Sequence, residues 1–405
     1  MPPKAVVTGM GVISAIGQGK VEFASALLDG RSAFKVMQRP GRQQDSAYIG
    51  AEIGQMVLPA GVTRQTLRAA SLSAQVALVV MQEAWSEAQL SEVDPCRIGL
   101  IVGGSNLQQR ELAQIHEEYR HRSIFLRPTY ALSFMDSDLC GFCTAQFGIR
   151  GLAYTVGGAS ASGQLAIIQA AQAVLTNQVD VCIALGAMMD LSHWECGALR
   201  AIGAMGSDRY ANDPGLACRP FDRDHDGFIF GEACGAVVIE SLDSSRRRKV
   251  TPSMALSGWG MAMDGNRNPD PSLAGEMQAI QNALHASGWR PDQIDYVNPH
   301  GTGSNSGDET ELKALHACGL TGAHLNATKS LVGHGLSAAG TVEVIATVLQ
   351  SKAGRLHPSR NLEHPIDATH NWVKSQPIDH RIEKALTLSM GFGGINTALC
   401  WQRPD

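Results

Sequence analysis

Short apolar, β-branched runs alternate along this 405-residue chain with longer alanine-rich stretches of helical character, the rhythm of βαβ units. The pattern predicts strands at Lys4–Thr8, Arg97–Val102, Leu152–Val156, Asp180–Leu185 and Ala233–Glu240. Later strands are predicted at Met254–Ser257, Asp295–Asn298, Leu325–Thr328, Ala385–Ser389 and Asn396–Trp401. Several are apolar throughout, as expected where helices cover both faces of a sheet. Helices are predicted between them at Ala69–Glu87, Gly163–Asn177, Ala274–Gly288 and Ala338–Ala353.

The run Ser244-Ser245-Arg246-Arg247-Arg248-Lys249 divides this rhythm into two parts, residues 1–245 and 250–405. A block of like charge there reads as a solvated connector, with a docking patch for an acidic protein as the sharper alternative. Both parts keep the strand–helix alternation, and no short repeat or low-complexity tract interrupts it. The stretch 38–66 is the least informative.

Composition narrows the class without naming it. Hydrophobic residues make up 44% and charged residues 18%, ordinary for a large soluble α/β protein. A net charge of −5 argues against non-specific nucleic-acid binding. No apolar run approaches the length of a membrane span. The first residues lead straight into a strand without signal-peptide anatomy, so a cytoplasmic location is expected. Nine scattered cysteines read as reduced, mostly buried thiols. Cys140 and Cys143 form a C-x-x-C, but no second pair follows at zinc spacing, and no metal is expected.

Candidate chemistry concentrates in three segments. Tyr154-Thr155-Val156-Gly157-Gly158-Ala159-Ser160-Ala161-Ser162-Gly163 is a strand turning sharply into a helix of small residues. Asn298-Pro299-His300-Gly301-Thr302-Gly303-Ser304 and Lys329-Ser330-Leu331-Val332-Gly333-His334-Gly335 each place a histidine where a strand gives way to a loop. A lone histidine of this kind is usually structural. Two of them, each in a long glycine-rich motif downstream of a nucleophile-like turn, form a catalytic constellation.

These segments resemble those of the β-ketoacyl synthases, in order and spacing. The resemblance extends to Val6-Val7-Thr8-Gly9-Met10-Gly11-Val12, to Arg219-Pro220-Phe221-Asp222-Arg223-Asp224-His225-Asp226-Gly227-Phe228 and to Met390-Gly391-Phe392-Gly393-Gly394-Ile395-Asn396, so it runs from first strand to last. It implies an α/β, duplicated thiolase-like fold of five αβαβα layers, and a homodimer paired through Leu152–Val156. It also implies roles. His300 and His334 carry the decarboxylation, Lys329 supports them, and Glu343 is Lys329's structural partner. Thr302 and Ser304 contact a phosphopantetheine arm, and Phe392 gates the channel. The backbone N–H groups of Ser160 and Phe392 correspond to a second oxyanion hole that serves acyl transfer.

One position departs from the family. Where a condensing enzyme has cysteine, this chain has Ser160. A helix N-terminus favours a thiolate, but a serine hydroxyl remains a poor nucleophile without an adjacent base. Decarboxylating a malonyl thioester needs no nucleophile. It needs two neutral imidazoles aimed at the enolate oxygen, and losing one such donor typically costs about 3–4 kcal/mol of barrier. The pattern therefore resembles the decarboxylating branch found in polyketide β-branching cassettes. That branch turns malonyl on an acyl carrier protein into acetyl on the same carrier, for an HMG-CoA-synthase-like enzyme downstream, with no cofactor beyond the carrier's phosphopantetheine.

Three other readings stand beside it. A non-catalytic chain-length-factor-like subunit also lacks the cysteine, but typically lacks the histidines too. A condensing enzyme with its cysteine engineered to serine has the same sequence. A serine acyltransferase or hydrolase would want the second glycine of G-x-S-x-G, which Ser162 displaces.

Overall fold

The computed structural model describes residues 5–404. Met1–Lys4 and Asp405 lie outside it, and with them the start predicted for the first strand.

In the first half, β1 (Ala5–Ser14), α1 (Leu72–Glu87), β2 (Ile98–Gly103), α2 (Ser137–Phe147), β3 (Ala153–Val156), α3 (Ser162–Leu175), β4 (Val181–Gly186) and β5 (Ala233–Ser241) follow one another. Their strands lie in the order β3-β2-β4-β5-β1, with β2 parallel to β3 and β4, and β5 antiparallel to both neighbours. The second half repeats this with β6 (Met254–Met263), α4 (Leu273–Ser287), β7 (Tyr296–Asn298), α5 (Asn305–Ala317), β8 (His324–Leu325), α6 (Ala339–Ala353), β9 (Lys384–Gly391) and β10 (Ile395–Gln402). Its order, β8-β7-β9-β10-β6, is the same 3-2-4-5-1 arrangement with the same parallel and antiparallel pairs. The two sheets meet where Ala5–Val7 of β1 pairs with Met254–Leu256 of β6.

The inner strands are largely apolar because each faces two cores. Leu100 and Val102 point to an outer core under α1 and α2, while Ile101 between them points to the central one. Ala398 and Cys400 likewise face α4 and α5, and Leu399 and Trp401 face the centre. Successive side chains alternate across a pleated sheet, so a strand serving two cores shows no polar face. Helices α3 and α6 fill the central layer between the sheets, which makes five layers.

Local departures from the predicted elements have identifiable causes. The helix expected over Ala69–Glu87 starts at Leu72, because Ala70 is extended and the Ser71 hydroxyl caps the Ala74 N–H. The strand expected over Leu325–Thr328 ends at Leu325. Beyond it, Asn326 and Thr328 are buried, and their side chains bond Gln350, the His357 carbonyl and Asn298. The connector is a short helix, Leu242–Arg248, capped by Ser241, and its Ser244 and Ser245 are buried. Arg248 is tied inward to Glu240 and to the Ala88 carbonyl, which leaves Arg246, Arg247 and Lys249 as the exposed cations. Among the described residues no helix is long and apolar enough to cross a membrane.

Candidate active site

The two central helices bring the site together. Helices α3 and α6 each follow the third strand of their own half, and their first turns touch. A Cβ on Gly163 would lie 2.8 Å from the Thr341 nitrogen, and one on Gly340 would lie 2.8 Å from the Gln164 nitrogen. Only glycine permits that approach. It places the Ser160 turn against the His334 loop.

Ser160 sits in a tight turn (159–161) just before α3, and Ala159 there has φ +47°. A non-glycine residue in the left-handed region costs roughly 1–2 kcal/mol, so the turn must be held. Ser162 holds it: its buried hydroxyl accepts the Gly158 N–H at 2.9 Å and donates to the Ala159 carbonyl at 2.7 Å.

Ser160 Oγ lies 2.9 Å from His334 Nε2. On the far side of that ring, Nδ1 accepts the Leu336 N–H at 3.4 Å, a long bond that nevertheless assigns the tautomer. With Nδ1 an acceptor, Nε2 carries the hydrogen. His334 thus donates to Ser160 and is not poised to deprotonate it. The His334 backbone is clamped on both sides, its N–H to the Ile229 carbonyl at 2.7 Å and its carbonyl from the Gly231 N–H at 3.1 Å. The ring packs edge-on against Phe228, with centroids 5.1 Å apart.

His300 stands 5.4 Å from His334 between ring centroids, nearly perpendicular to it. Its Nδ1 is buried without a partner among the described residues, while the residue itself lines the cavity. Burial, Lys329 and His334 push the His300 imidazole well below its usual range, and burial and Lys329 do the same to His334. Both rings are therefore neutral at neutral pH.

Lys329 does not reach the cavity. It is 1% exposed, and its ammonium bonds the His300 carbonyl and the Glu343 carboxylate behind the ring. Burial pushes the Glu343 carboxyl up to about 7 against the pull of Lys329. The loop after His300 is held from below by α5. Glu311 accepts the His300 and Gly301 N–H groups at 2.5 and 2.8 Å, and Asp308 accepts those of Thr302 and Gly303 at 3.0 Å each. Burial raises Glu311 to about 8, opposed by the two N–H bonds. Thr302 donates to the Ser304 hydroxyl at 2.9 Å.

These residues face one cavity of about 680 Å³, lined by Ser160, His300, His334, Thr302, Ser304 and Phe392 among others. Phe392 is 44% exposed, in the turn between β9 and β10. That turn lies against the Ser160 turn, since a Cβ on Gly391 would come within 2.2 Å of the Gly158 carbonyl. All the predicted site residues converge except Lys329 and Glu343, which form the layer behind.

Two supports were not anticipated from sequence. Ser162 is one. The other is a buried ion cluster: Arg42 bonds Glu232 at 2.7 Å and Asp190 at 2.9 Å, Arg39 bonds Glu232, and Arg110 bonds Asp190. It underpins the 229–231 segment that clamps His334. Its one sequence signal is a set of charges flanking apolar strands.

The duplicated halves, the two central helices and the facing turns define a thiolase-like fold with a ketosynthase-type cavity. The chain belongs to the β-ketoacyl synthase family. The family's N-terminal domain matches residues 3–245 and its C-terminal domain residues 254–363. Among curated relatives it is 62% identical over 400 residues to the polyketide biosynthesis malonyl-ACP decarboxylase PksF of Bacillus subtilis (strain 168), covering 99% of this chain and 96% of that one. It is 27% identical to 3-oxoacyl-[acyl-carrier-protein] synthase 2 of Coxiella burnetii, over 99% of this chain and 98% of that one. Among solved structures, a β-ketoacyl synthase from Burkholderia phymatum superposes with a TM-score of 0.91 at 25% identity, over the full length of both chains. All nine cysteines are free thiols; Cys96 is exposed and the others are buried.

Proposed function

We propose that this chain decarboxylates malonyl-acyl carrier protein to acetyl-acyl carrier protein and does not condense. The observation that carries the reading is the pairing of a hydroxyl at the nucleophile turn with two neutral imidazoles in the same cavity, 2.9 Å separating Ser160 Oγ from His334 Nε2. Loss of carbon dioxide pushes the C–C bonding electrons onto the thioester oxygen. His300 and His334 then place N–H donors where that charge develops. Burial, reinforced by the Lys329 charge, keeps both rings neutral, and Lys329 fixes the His300 backbone, so it acts as a positioning residue. Thr302 and Ser304 hold the phosphopantetheine arm, and Phe392 guards the entrance.

The name of the Bacillus relative supports the same reaction. In β-branching, the acetyl carrier would pass to an HMG-CoA-synthase-like enzyme. A cytoplasmic homodimer fits this role. In support, β3 is the terminal strand of the first sheet, its outer edge is unpaired among the described residues, and Tyr154 on it is 39% exposed. The chain-length-factor reading is disfavoured by the intact His300–Lys329–His334 group, which a non-catalytic subunit has no use for. The test is incubation with malonyl-carrier protein while carbon dioxide is trapped: acetyl-carrier should form in equal amount, and its absence would refute the reading.

A further inference from the structure

A condensing enzyme hands the enolate carbon to an acyl electrophile. A decarboxylase that releases acetyl must hand it a proton, and this chain's cavity must hold the donor. We propose that Ser160 is that donor; the inference rests on the decarboxylase reading above.

The geometry carries it. The enolate oxygen must lie within hydrogen-bond reach of His334 Nε2, and Ser160 Oγ already lies 2.9 Å from the same atom. Oxygen and hydroxyl are therefore neighbours, and the nucleophilic carbon is one atom removed from that oxygen. Since Nε2–H is the donor in the Ser160–His334 bond, the Ser160 proton is uncommitted. The His334 contact is the one hydrogen bond of Ser160 Oγ among the described residues.

The other acidic side chains of the cavity are placed less well. Asp264 is bonded to Asn396 at 2.7 Å, and Glu195 caps Ser192. Asp308 and Glu311 are engaged by loop N–H groups, and Asp270 is exposed at the rim. Glu276 is the one rival. It is 2% exposed and lines the cavity, and its Oε2 is buried without a hydrogen-bond partner among the described residues, so the experiment below includes it.

The step balances. The C2–carboxylate bond breaks, carbon dioxide leaves, and its bonding pair becomes the enolate. As the thioester carbonyl re-forms, C2 takes the proton from Ser160 Oγ. The hydroxyl is restored by a water of the open cavity, whose hydroxide converts carbon dioxide to bicarbonate. Malonyl thioester and water thus give acetyl thioester and bicarbonate. During the transfer, negative charge moves from the thioester oxygen to Oγ. The same His334 N–H can follow it, because it faces both atoms, and the N-terminus of α3 favours charge at that point.

The experiment uses malonyl-carrier bearing one tritium of defined configuration at C2, turned over in D2O by the full chain, and reads the configuration of the CHDT methyl group. A fixed donor on one face gives one configuration. Wild type and Ser160→Thr, which keeps the hydroxyl, should give a single configuration. Ser160→Ala should slow turnover by up to about tenfold and give a racemic methyl, because water then protonates from either face. Glu276→Gln should keep the wild-type configuration. A single configuration from Ser160→Ala, racemisation in Glu276→Gln, or a racemic methyl from active wild type would each overturn the proposal. No acetyl from wild type would overturn the decarboxylase reading itself.

Discussion

The Ser160 turn and the His334 loop occupy equivalent places in the two halves. Each follows a third strand and leads into a central helix, and Gly163 and Gly340 let the two helix starts touch. Their chemistry has diverged. The first carries the Ser160 hydroxyl, while the second carries a neutral imidazole clamped on both sides of its backbone. Holding an acyl chain and activating malonyl meet in one cavity but rest on different halves. One can be lost while the scaffolding of the other stays intact.

Removing the retained side should have the largest effect. His300→Ala or His334→Ala should lower kcat by roughly a hundred- to a thousandfold, with KM changed much less, because on the proposed reading Thr302 and Ser304, not the imidazoles, hold the pantetheine arm. The double variant should lose less than the product of the single losses. Near wild-type turnover in either single variant would break the comparison.

Lys329→Ala tests what lies behind the rings. It strands the Glu343 carboxyl, 2% exposed, without its cation. Breaking a buried pair is strongly destabilising, and since Glu343 can take up a proton in compensation, a cost of roughly 3 kcal/mol is expected in denaturant unfolding. The exposed Arg290–Asp292 pair is a control. Arg290→Ala should leave the unfolding midpoint unchanged.

The pH profile sharpens the same side. Both imidazoles are held well below 6.5, so turnover should stay flat as pH falls through 6.5 and decline only at lower pH, where the rings gain protons. Below 6.5 the unfolded histidines bind protons that the folded ones refuse, so their contribution to stability is full above 6.5 and is lost as pH falls toward the folded values. A rate profile with its midpoint at 6.5 would contradict the burial argument.

The smallest effect belongs to the lost side. Ser160→Cys should create a thiol at the start of α3 that iodoacetamide alkylates faster than any native cysteine, the exposed Cys96 included. Alkylation no faster than at Cys96 would mean that the turn no longer activates a nucleophile.

The parts of this comparison that depend on local pattern were legible in the sequence. Inner strands that serve two cores announce themselves as apolar runs, and the glycine-rich loops around His300 and His334 mark segments that line the cavity. What depends on close approach was not. Strand β6 runs to Met263, beyond the predicted Ser257, because Gly258 and Gly260 continue it. They look like breakers in sequence, yet they are required where α4 lies on the strand: a Cβ on Gly260 would sit 2.0 Å from the Ala279 carbonyl. The Arg42–Glu232 pair joins residues 190 positions apart, which no local pattern encodes. Ser162 looked like a flaw in a hydrolase elbow and is instead the clamp of the strained turn.

The central claim is decarboxylation without condensation. Its most direct test offers the protein malonyl-carrier together with an acyl-carrier donor and follows the intact mass of every component. The account predicts conversion of malonyl-carrier to acetyl-carrier, with the enzyme's own mass unchanged and no β-ketoacyl-carrier formed. An acyl adduct on the enzyme, or a β-ketoacyl product, would contradict it.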